Sequence, residues 1–405
     1  GTLRTASTAT TINEAIVVTG TVTVFGATSS GGSNLELTGD ITGSGVLNTG
    51  GSGGGRGSRN LRVRDNLDGF TGTIAHESAV GGQGMIVYGV NTTAALQLSG
   101  STSGSYFGLQ TAGATFGELS GTGRIISWKR RLTINQSTDT TYAGALNNVN
   151  GSNRLGLTKA GTGSLTLSGA SNYTDGTIVS GGRLVLQNTN LSPSFAISSG
   201  ATLEMNGTRT MTADTSFTGL GTLEKTGAGE IIWGAAAATF AMGSGSLIDV
   251  QAGTLRGGSN ANDVWTNNYS DLNVESGAIF TGVEANVRVD ALTGSGTIQS
   301  GFGGAGYLNF TFGVDSGSGT FDGVLANSSG TANYVKEGSG IQTLSGTNTY
   351  TGSTTISAGT LTVTGAGKLG SGTYAGAIAN SSTLTFDTSA DQTLSGVISG
   401  TGALN

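Results

Sequence analysis

The sequence of 405 residues has no cysteine, one proline and one histidine. Without cysteine there are no disulfides, thiolate zinc sites or cysteine nucleophiles, and the single His76 excludes any site that needs two histidines. One proline excludes a collagen helix, which requires abundant proline. Charged residues make up only 10% of the chain, which argues against a highly charged disordered chain. No run of about 18 apolar residues is present, so no transmembrane helix is predicted.

The charge balance narrows the class of partner. The formal net charge is −6, whereas a general nucleic-acid binder should be basic. An acidic, cysteine-free chain rich in Ser, Thr, Asn and Gly is typical of large exported bacterial proteins. The N-terminal Gly1–Arg4 has no basic start followed by an apolar stretch, so we expect a processed chain or a piece of a longer one.

Glycine, at 74 residues, is abundant, and the chain contains internal repeats. The clearest copies span residues 159–186 and 336–363, which align without a gap at an offset of 177. A weaker third copy begins at Lys225. Five segments share an apolar residue followed by Ser/Thr-Gly-x-Gly-x-apolar; they are Ile41–Leu47, Leu119–Ile125, Phe217–Leu223, Leu292–Ile298 and Ile398–Leu404.

The apolar residues within the repeats alternate with polar ones, as in Leu165 and Leu167 or Leu361 and Val363. This period of two predicts half-buried strands, and the intervening glycines predict corners. Units this small must stack to bury their apolar side. The sequence therefore predicts an all-β fold, a right-handed parallel β-helix of roughly 20 coils, forming one array over residues 1–405. A β-propeller would need evenly spaced blades, which the uneven motif spacing disfavours.

The repeats resemble the passenger-associated repeat of bacterial autotransporters (type V secretion). The similarity rests on Lys159, the Leu165 and Leu167 pair, Tyr173 and the final Gly182-x-Leu184, with their equivalents from Lys336 onward. The resemblance implies a β-helical passenger displayed at the bacterial cell surface or secreted, associated with the outer membrane, that acts in adhesion or self-association. Its partners would be other copies of itself or host and matrix glycans and surface proteins. Because the chain ends within a repeat, we expect a fragment or processed piece of a longer passenger.

Two other functions have weaker sequence support. A passive stalk, surface layer or filament subunit would use the repeats only to set length. A polysaccharide-acting enzyme would need clustered carboxylates, calcium or a basic residue as catalytic base, and the acidic residues are mostly scattered, with Glu224 and Glu230 expected on solvated faces. No cofactor and no metal site is predicted.

One serine and the histidine invite a catalytic interpretation. Ser316 lies in Val314–Gly317, which resembles a serine-protease nucleophile turn, and His76 would be its base. Both lie beside repeat elements, so we interpret both as corner residues and predict no catalytic residue.

The basic residues are clustered, and they form the one candidate binding site. Arg62 and Arg64 alternate with Leu61 and Val63, so both should point outward from one strand. Such a patch would suit an anion, a sulfated or uronic glycan, or an acidic face of a second copy; otherwise it is a solvated edge balanced by Asp65, Asp68 and Glu77. The candidate residues are Arg56, Arg59, Arg62, Arg64, Lys129, Arg130 and Arg131.

The aromatic residues add one further hypothesis. Tyr173 and Tyr350 hold equivalent repeat positions, which predicts stacking within the coil. Trp128, Trp233 and Trp265 fall outside the repeat consensus, and any one of them is a candidate platform for a sugar ring.

Overall fold

The repeats fold into parallel strands that stack turn upon turn. The structure, a computed structural model, describes residues 1–4, 10–25, 34–50, 59–64, 66–78, 83–100, 106–110, 113–187, 194–211, 214–233, 238–257, 264–282, 284–303 and 306–405. The chain divides into two compact units, Gly1–Ala196 and Ile197–Asn405. The single array over residues 1–405 stays a prediction.

The first unit is built from three sheets, which we call sheets 1 to 3, counted over the described residues. Sheet 1 comprises Thr2–Arg4, Thr21–Phe25, Val46–Gly50, Thr73–Ser78, Ala95–Gly100, Glu118–Gly121, Thr140–Tyr142, Ser164–Leu167 and Arg183–Gln187. Sheet 2 comprises Thr10–Ile12, Leu35–Leu37, Arg59–Arg64, Gln83–Tyr88, Tyr106–Gln110, Arg124–Ser127 and Ala145–Asn148. Sheet 3 comprises Ala114–Phe116, Arg130–Asn135, Leu155–Ala160 and Thr177–Val179. A short pair joins Ile16–Val17 to Ile41–Thr42.

The second unit repeats this arrangement in sheets 4 to 7. Sheet 4 comprises Thr202–Asn206, Thr222–Thr226, Leu247–Val250, Asp271–Val274, Leu292–Gly294, Gly319–Phe321, Ile341–Leu344, Thr360–Gly365, Thr383–Thr388 and Ala403–Leu404. Sheet 5 comprises Arg209–Thr210, Glu230–Ile232, Thr254–Arg256, Ile279–Thr281, Thr297–Ser300 and Val324–Asn327. Sheet 6 comprises Thr215–Gly219 and Ala238–Met242. Sheet 7 comprises Val287–Arg288, Asn309–Phe312, Asn333–Lys336, Thr354–Ile356, Ile378–Asn380 and Ile398–Ser399.

Four further elements complete the described structure. Thr373–Tyr374 pairs with Thr393–Leu394, and the strand Ser194–Ile197 spans the boundary between the two units. Gly370–Gly372 is a 3-10 turn, the one helical element within the described ranges. The predicted all-β fold and the parallel β-helix are confirmed.

Within each unit, equivalent positions of successive turns lie one above the other. Leu165 and Leu167 pair with Leu184 and Leu186, and all four side chains are buried. The alternation therefore places aliphatic rows inside the coil and polar residues outside, as predicted. Turn length varies, because Leu165 pairs with a residue 19 positions later, whereas Gly294 pairs with Phe321, 27 positions later.

The corners depend on glycine where the chain turns beneath a carbonyl of the preceding coil. Gly121 has a φ of 100°, and a Cβ there would lie 1.8 Å from the Leu98 carbonyl oxygen. The central glycines of all five Ser/Thr-Gly-x-Gly motifs have such positive φ values; they are Gly43, Gly121, Gly219, Gly294 and Gly400. The corner positions predicted from the motif are confirmed.

Aromatic rings form a continuous buried column inside the second unit. Successive ring centroids lie 4.1 to 6.1 Å apart, with the closest stack between Phe240 and Trp265. The column comprises Phe217, Trp233, Phe240, Trp265, Phe280, Phe310, Tyr334, Tyr350 and Tyr374. The predicted stacking of Tyr350 within the coil is confirmed, and Tyr173 is likewise buried in the first unit.

Candidate functional site

The first basic cluster lies on sheet 2 of the first unit. Arg62 and Arg64 flank the buried Val63 on one strand, so both point outward, as predicted. Arg59 begins that strand, and Arg56 lies outside the described residues. Of this predicted cluster, Arg62 and Arg64 therefore share a described outer face.

Arg64 is held in place by two neighbours. Its Nε donates to the Glu36 carboxylate on the adjacent strand, and its guanidinium carbon lies 4.2 Å from the centroid of the Tyr88 ring. We expected Asp65, Asp68 and Glu77 to balance the charge of this cluster. The described partner of Arg64 is instead Glu36, which the register of sheet 2 places opposite Arg62 on the neighbouring strand. Asp65 lies outside the described residues.

The second basic cluster separates into different roles. Arg131 donates from Nη1 to the Leu157 carbonyl (2.8 Å) and from Nη2 to the Asp175 carbonyl (2.9 Å). These bonds fasten Arg131 to later turns, so it belongs to the framework. Lys129 is exposed in a corner with a φ of 66°, and Arg130 follows it, donating from Nη1 to the Lys129 carbonyl.

An aromatic layer covers the outside of sheet 2. Tyr106 and Trp128 meet edge to face with ring centroids 5.9 Å apart. Gly108 lies beneath the indole, where a Cβ would approach Cζ3 of Trp128 to 2.8 Å. Ile86 and Ile126 also point outward, yet only 4% and 5% of their surfaces are exposed. The outer face is therefore packed, and the glycine provides the space for the indole.

Two arginines flank this layer, and among the described residues they have no ion-pair partner. The register of sheet 2 aligns Arg62 with Ile86 and Ile86 with Gly108, and Arg124 directly precedes Ile125, which pairs with Phe107. Burial raises the pKa of Tyr106, and the positive charges of Arg124 and Arg62 act in the opposite direction. Within the described part of the chain, neither guanidinium forms an ion pair or donates a hydrogen bond, and Nε of Arg62 is buried without a partner. We call Arg62, Tyr106, Arg124 and Trp128 the arginine–aromatic face.

The three tryptophans are therefore not equivalent. Trp233 and Trp265 are buried in the column of the second unit, so neither is available to a sugar. Trp128 is half-buried on the outer face of sheet 2. The sequence singled out three candidates, and the structure leaves Trp128.

His76 and Ser316 both serve the framework of their own units. His76 lies in the strand Thr73–Ser78 with its side chain buried, and its Nδ1 is 3.0 Å from Oγ1 of Thr49. Burial lowers the pKa of His76 to about 4. The interpretation of His76 as a corner residue is wrong, since the strand carries it inward. Ser316 is a corner residue with a φ of 70°, and its Oγ accepts the Ser339 N–H (3.1 Å).

The lysine of each repeat has a structural role that the sequence did not reveal. Nζ of Lys159 donates to the carbonyls of Ala160 (2.7 Å), Gly161 (3.1 Å) and Gly181 (3.2 Å), and the side chain is buried. Burial lowers the pKa of Lys159 to about 8, while the three carbonyls solvate the ammonium. The one signal was the inward register of Lys159, two residues after Leu157.

The same arrangement recurs in the second unit. Lys225 donates to the carbonyls of Thr226, Gly227 and Ala252 at 2.7 to 3.0 Å, and Lys336 donates to those of Glu337, Gly338 and Ala358. Lys225 therefore has the same structural role as the lysines of the two clearest repeats.

The expected solvated position of the acidic residues around Lys225 is wrong in part. Glu224 is buried, at 6% exposure. Glu230 forms an ion pair with Arg256 at 2.6 Å. In the described part of the chain, no three His, Asp or Glu side chains group as a metal site would require. Nor does any helix there have the length and apolar character needed to span a membrane.

Comparison with known families adds to this geometry. The passenger-associated-transport-repeat family matches residues 157–186 and 335–363, the two segments that contain Lys159 and Lys336. Searches of curated proteins and of solved structures found no match. The matched repeats and the parallel β-solenoid around them support an autotransporter passenger domain with repeats. The family implies surface or extracellular display, and together with the parallel coils it supports a surface-displayed or secreted β-helical protein.

Proposed function

We propose that this passenger acts without catalysis in adhesion or self-association, from a position associated with the bacterial outer membrane. Its partners are other copies of itself, or glycans and surface proteins of a host or matrix. The proposal rests on one observation, the rows of polar side chains that continue from turn to turn on the outside of the coil.

These rows are ordered by hydrogen bonds between neighbouring turns. In the first unit, Asn147 Nδ2 donates to Asn172 Oδ1 (2.8 Å), and in the second, Asn327 Nδ2 donates to Thr351 Oγ1 (2.8 Å). Side chains held at the spacing of the strands, about 4.8 Å, present the same chemistry repeatedly. Contacts that are weak singly then add up when two such faces engage together.

A structural role as a stalk, surface layer or filament subunit is the second candidate. The observation that favours it is the same set of bonds, because an Asn147 that donates to Asn172 has one donor fewer for a partner. In that case the rows would stabilise the coil without binding anything.

The two functions separate in an aggregation experiment. Beads coated with the full chain should aggregate or adhere to matrix-coated surfaces. Replacing Asn147 and Asn172 by alanine should weaken this effect if the row is a contact surface. Beads that neither aggregate nor adhere would contradict the proposal, and ordered fibres in electron micrographs of the free chain would support the structural role.

A further inference from the structure

The arginine–aromatic face has a charge that differs from the rest of the molecule. The chain carries a net charge of −6, yet the charged side chains described on the outside of sheet 2 are Arg62, Arg64, Arg124 and the single carboxylate of Glu36. Glu36 is engaged by Arg64. Among the described side chains of this face, two positive charges are thus left without a carboxylate partner.

Within the described residues, neither of these two guanidinium groups bonds the backbone of a neighbouring turn. Arg131, by contrast, uses its guanidinium to bond two backbone carbonyls of later turns. Arg62 and Arg124 make no such bond within the described residues, although both are half-buried. A guanidinium that is partly withdrawn from water binds a carboxylate or sulfate through paired hydrogen bonds.

The aromatic rings on the same face are the second feature that a ligand could use. Trp128 and Tyr106 are half-buried, and their edge-to-face contact above Gly108 fixes both rings. Rings with an apolar surface and a polar edge suit a ligand that is itself part apolar and part polar. The C–H face of a pyranose ring, beside an acidic substituent, has this character.

We propose that the arginine–aromatic face binds an acidic saccharide, with Arg62 and Arg124 holding its carboxylate or sulfate groups and Trp128 and Tyr106 packing against its sugar rings. This inference rests on the proposed function in adhesion, for which it names a ligand class.

The test is a titration of the full chain by calorimetry with three probes: oligogalacturonate, which carries carboxylates alone, a heparin octasaccharide, which also carries sulfates, and a neutral maltooligosaccharide. At least one acidic probe should bind, more weakly as salt is added, and the neutral probe should not. Binding of oligogalacturonate identifies the carboxylate as sufficient, and binding of heparin alone identifies the sulfate.

Variants test whether the acidic probe binds at the arginine–aromatic face. Arg62→Gln and Arg124→Gln should each weaken the bound probe roughly tenfold, the loss expected for a hydrogen bond between charged groups. Trp128→Ala should weaken it as well, and Trp128→Phe should restore part of the affinity. The matched controls Lys368→Gln and Tyr269→Ala remove a charge and an exposed ring from the second unit and should leave binding unchanged; thermal melting checks that each variant folds.

The proposal is overturned if no acidic probe binds, or if the variants of the face bind as tightly as the controls. Beads that still aggregate or adhere in that case would leave adhesion standing and remove only the saccharide. Saccharide binding without any adhesion of beads would contradict the proposed function instead.

Discussion

Buried polar side chains close the corners of this coil. Lys159 satisfies three carbonyls where its turn ends, and Lys336 does the same 177 residues later. A buried acceptor that loses its donor costs more than the bond itself contributes. The lysine of the repeat therefore recurs because its ammonium group satisfies backbone carbonyls at the corner.

Replacing Lys159 by methionine, which has similar length and no donor, should lower the free energy of unfolding by about 2–3 kcal/mol. Urea unfolding at pH 7, below the lowered pKa of about 8, measures the effect with the lysine largely protonated. Lys368→Met, at a half-buried lysine, is the control. Equal unfolding midpoints for both variants would show that the cap contributes nothing.

His76 makes the first unit sensitive to acid. Its pKa is about 4 in the fold and 6.5 when unfolded, so the unfolded chain binds the proton first. Stability is therefore lost as the pH falls from 6.5 towards 4, by up to about 3 kcal/mol. Melting temperatures across this range should fall more steeply for the natural chain than for His76→Leu. If the melting temperatures of the two chains fall in parallel, protonation of His76 does not destabilise the fold.

Corners and strands of the coil place different requirements on the sequence. A strand needs only alternation, whereas a corner such as Gly121 must pass beneath the Leu98 carbonyl with a positive φ. A side chain there meets both a steric clash and an unfavourable backbone conformation.

Gly121→Ala should therefore lower the free energy of unfolding by at least about 2 kcal/mol. Gly151→Ala is the matched control, because nothing lies within 4 Å of a Cβ at that position and its φ is not positive. Thermal melting of the two variants gives the comparison. A Gly121 variant as stable as the Gly151 variant would contradict the assignment of this corner.

Local sequence patterns were enough to predict the strands and corners. The alternation of Leu165 and Leu167 with polar residues predicted a strand, and the glycine motif that contains Gly121 predicted a corner. Contacts between turns were not predictable. Arg64 meets Glu36, 28 residues earlier, and Gly108 makes room for Trp128 only through the register of sheet 2. Since turn length varies from one coil to the next, sequence spacing does not reveal which residues become neighbours.

Some residues of the arginine–aromatic face could be predicted from the sequence, and others could not. Alternation predicted that Arg62 and Arg64 point outward, and the sequence offered Trp128 as one of three candidate tryptophans. It did not single out Arg124 or Tyr106, because neither belongs to a cluster or repeat. Nor did it separate Arg131, whose guanidinium bonds later turns, from its exposed neighbour Lys129.

In both units, we expect buried tyrosines to make the fold less stable at alkaline pH. Burial raises the pKa values of Tyr142, Tyr173, Tyr334, Tyr350 and Tyr374, to about 12 for Tyr173. The unfolded chain releases these protons near pH 10, so the stability that they provide is lost as the pH rises from 10 through the folded values.

Alkaline titration tests this directly. The tyrosinate absorbance near 295 nm should rise late and together with the loss of the β-sheet circular dichroism signal. A smooth rise centred on pH 10 in a chain that stays folded would show that the tyrosines are open to solvent.

The central feature of the fold is the stacking of parallel coils in a fixed register. Because the natural chain has no cysteine, paired substitutions report on it without background. Thr343 and Thr362 are register partners on adjacent strands of sheet 4, so Thr343→Cys with Thr362→Cys should form a disulfide under mild oxidation. Thr343→Cys with Thr364→Cys, displaced by two residues along the strand, should keep both thiols free. A cross-link in the displaced pair, or none in the aligned pair, would contradict the parallel stacking on which the rest is built.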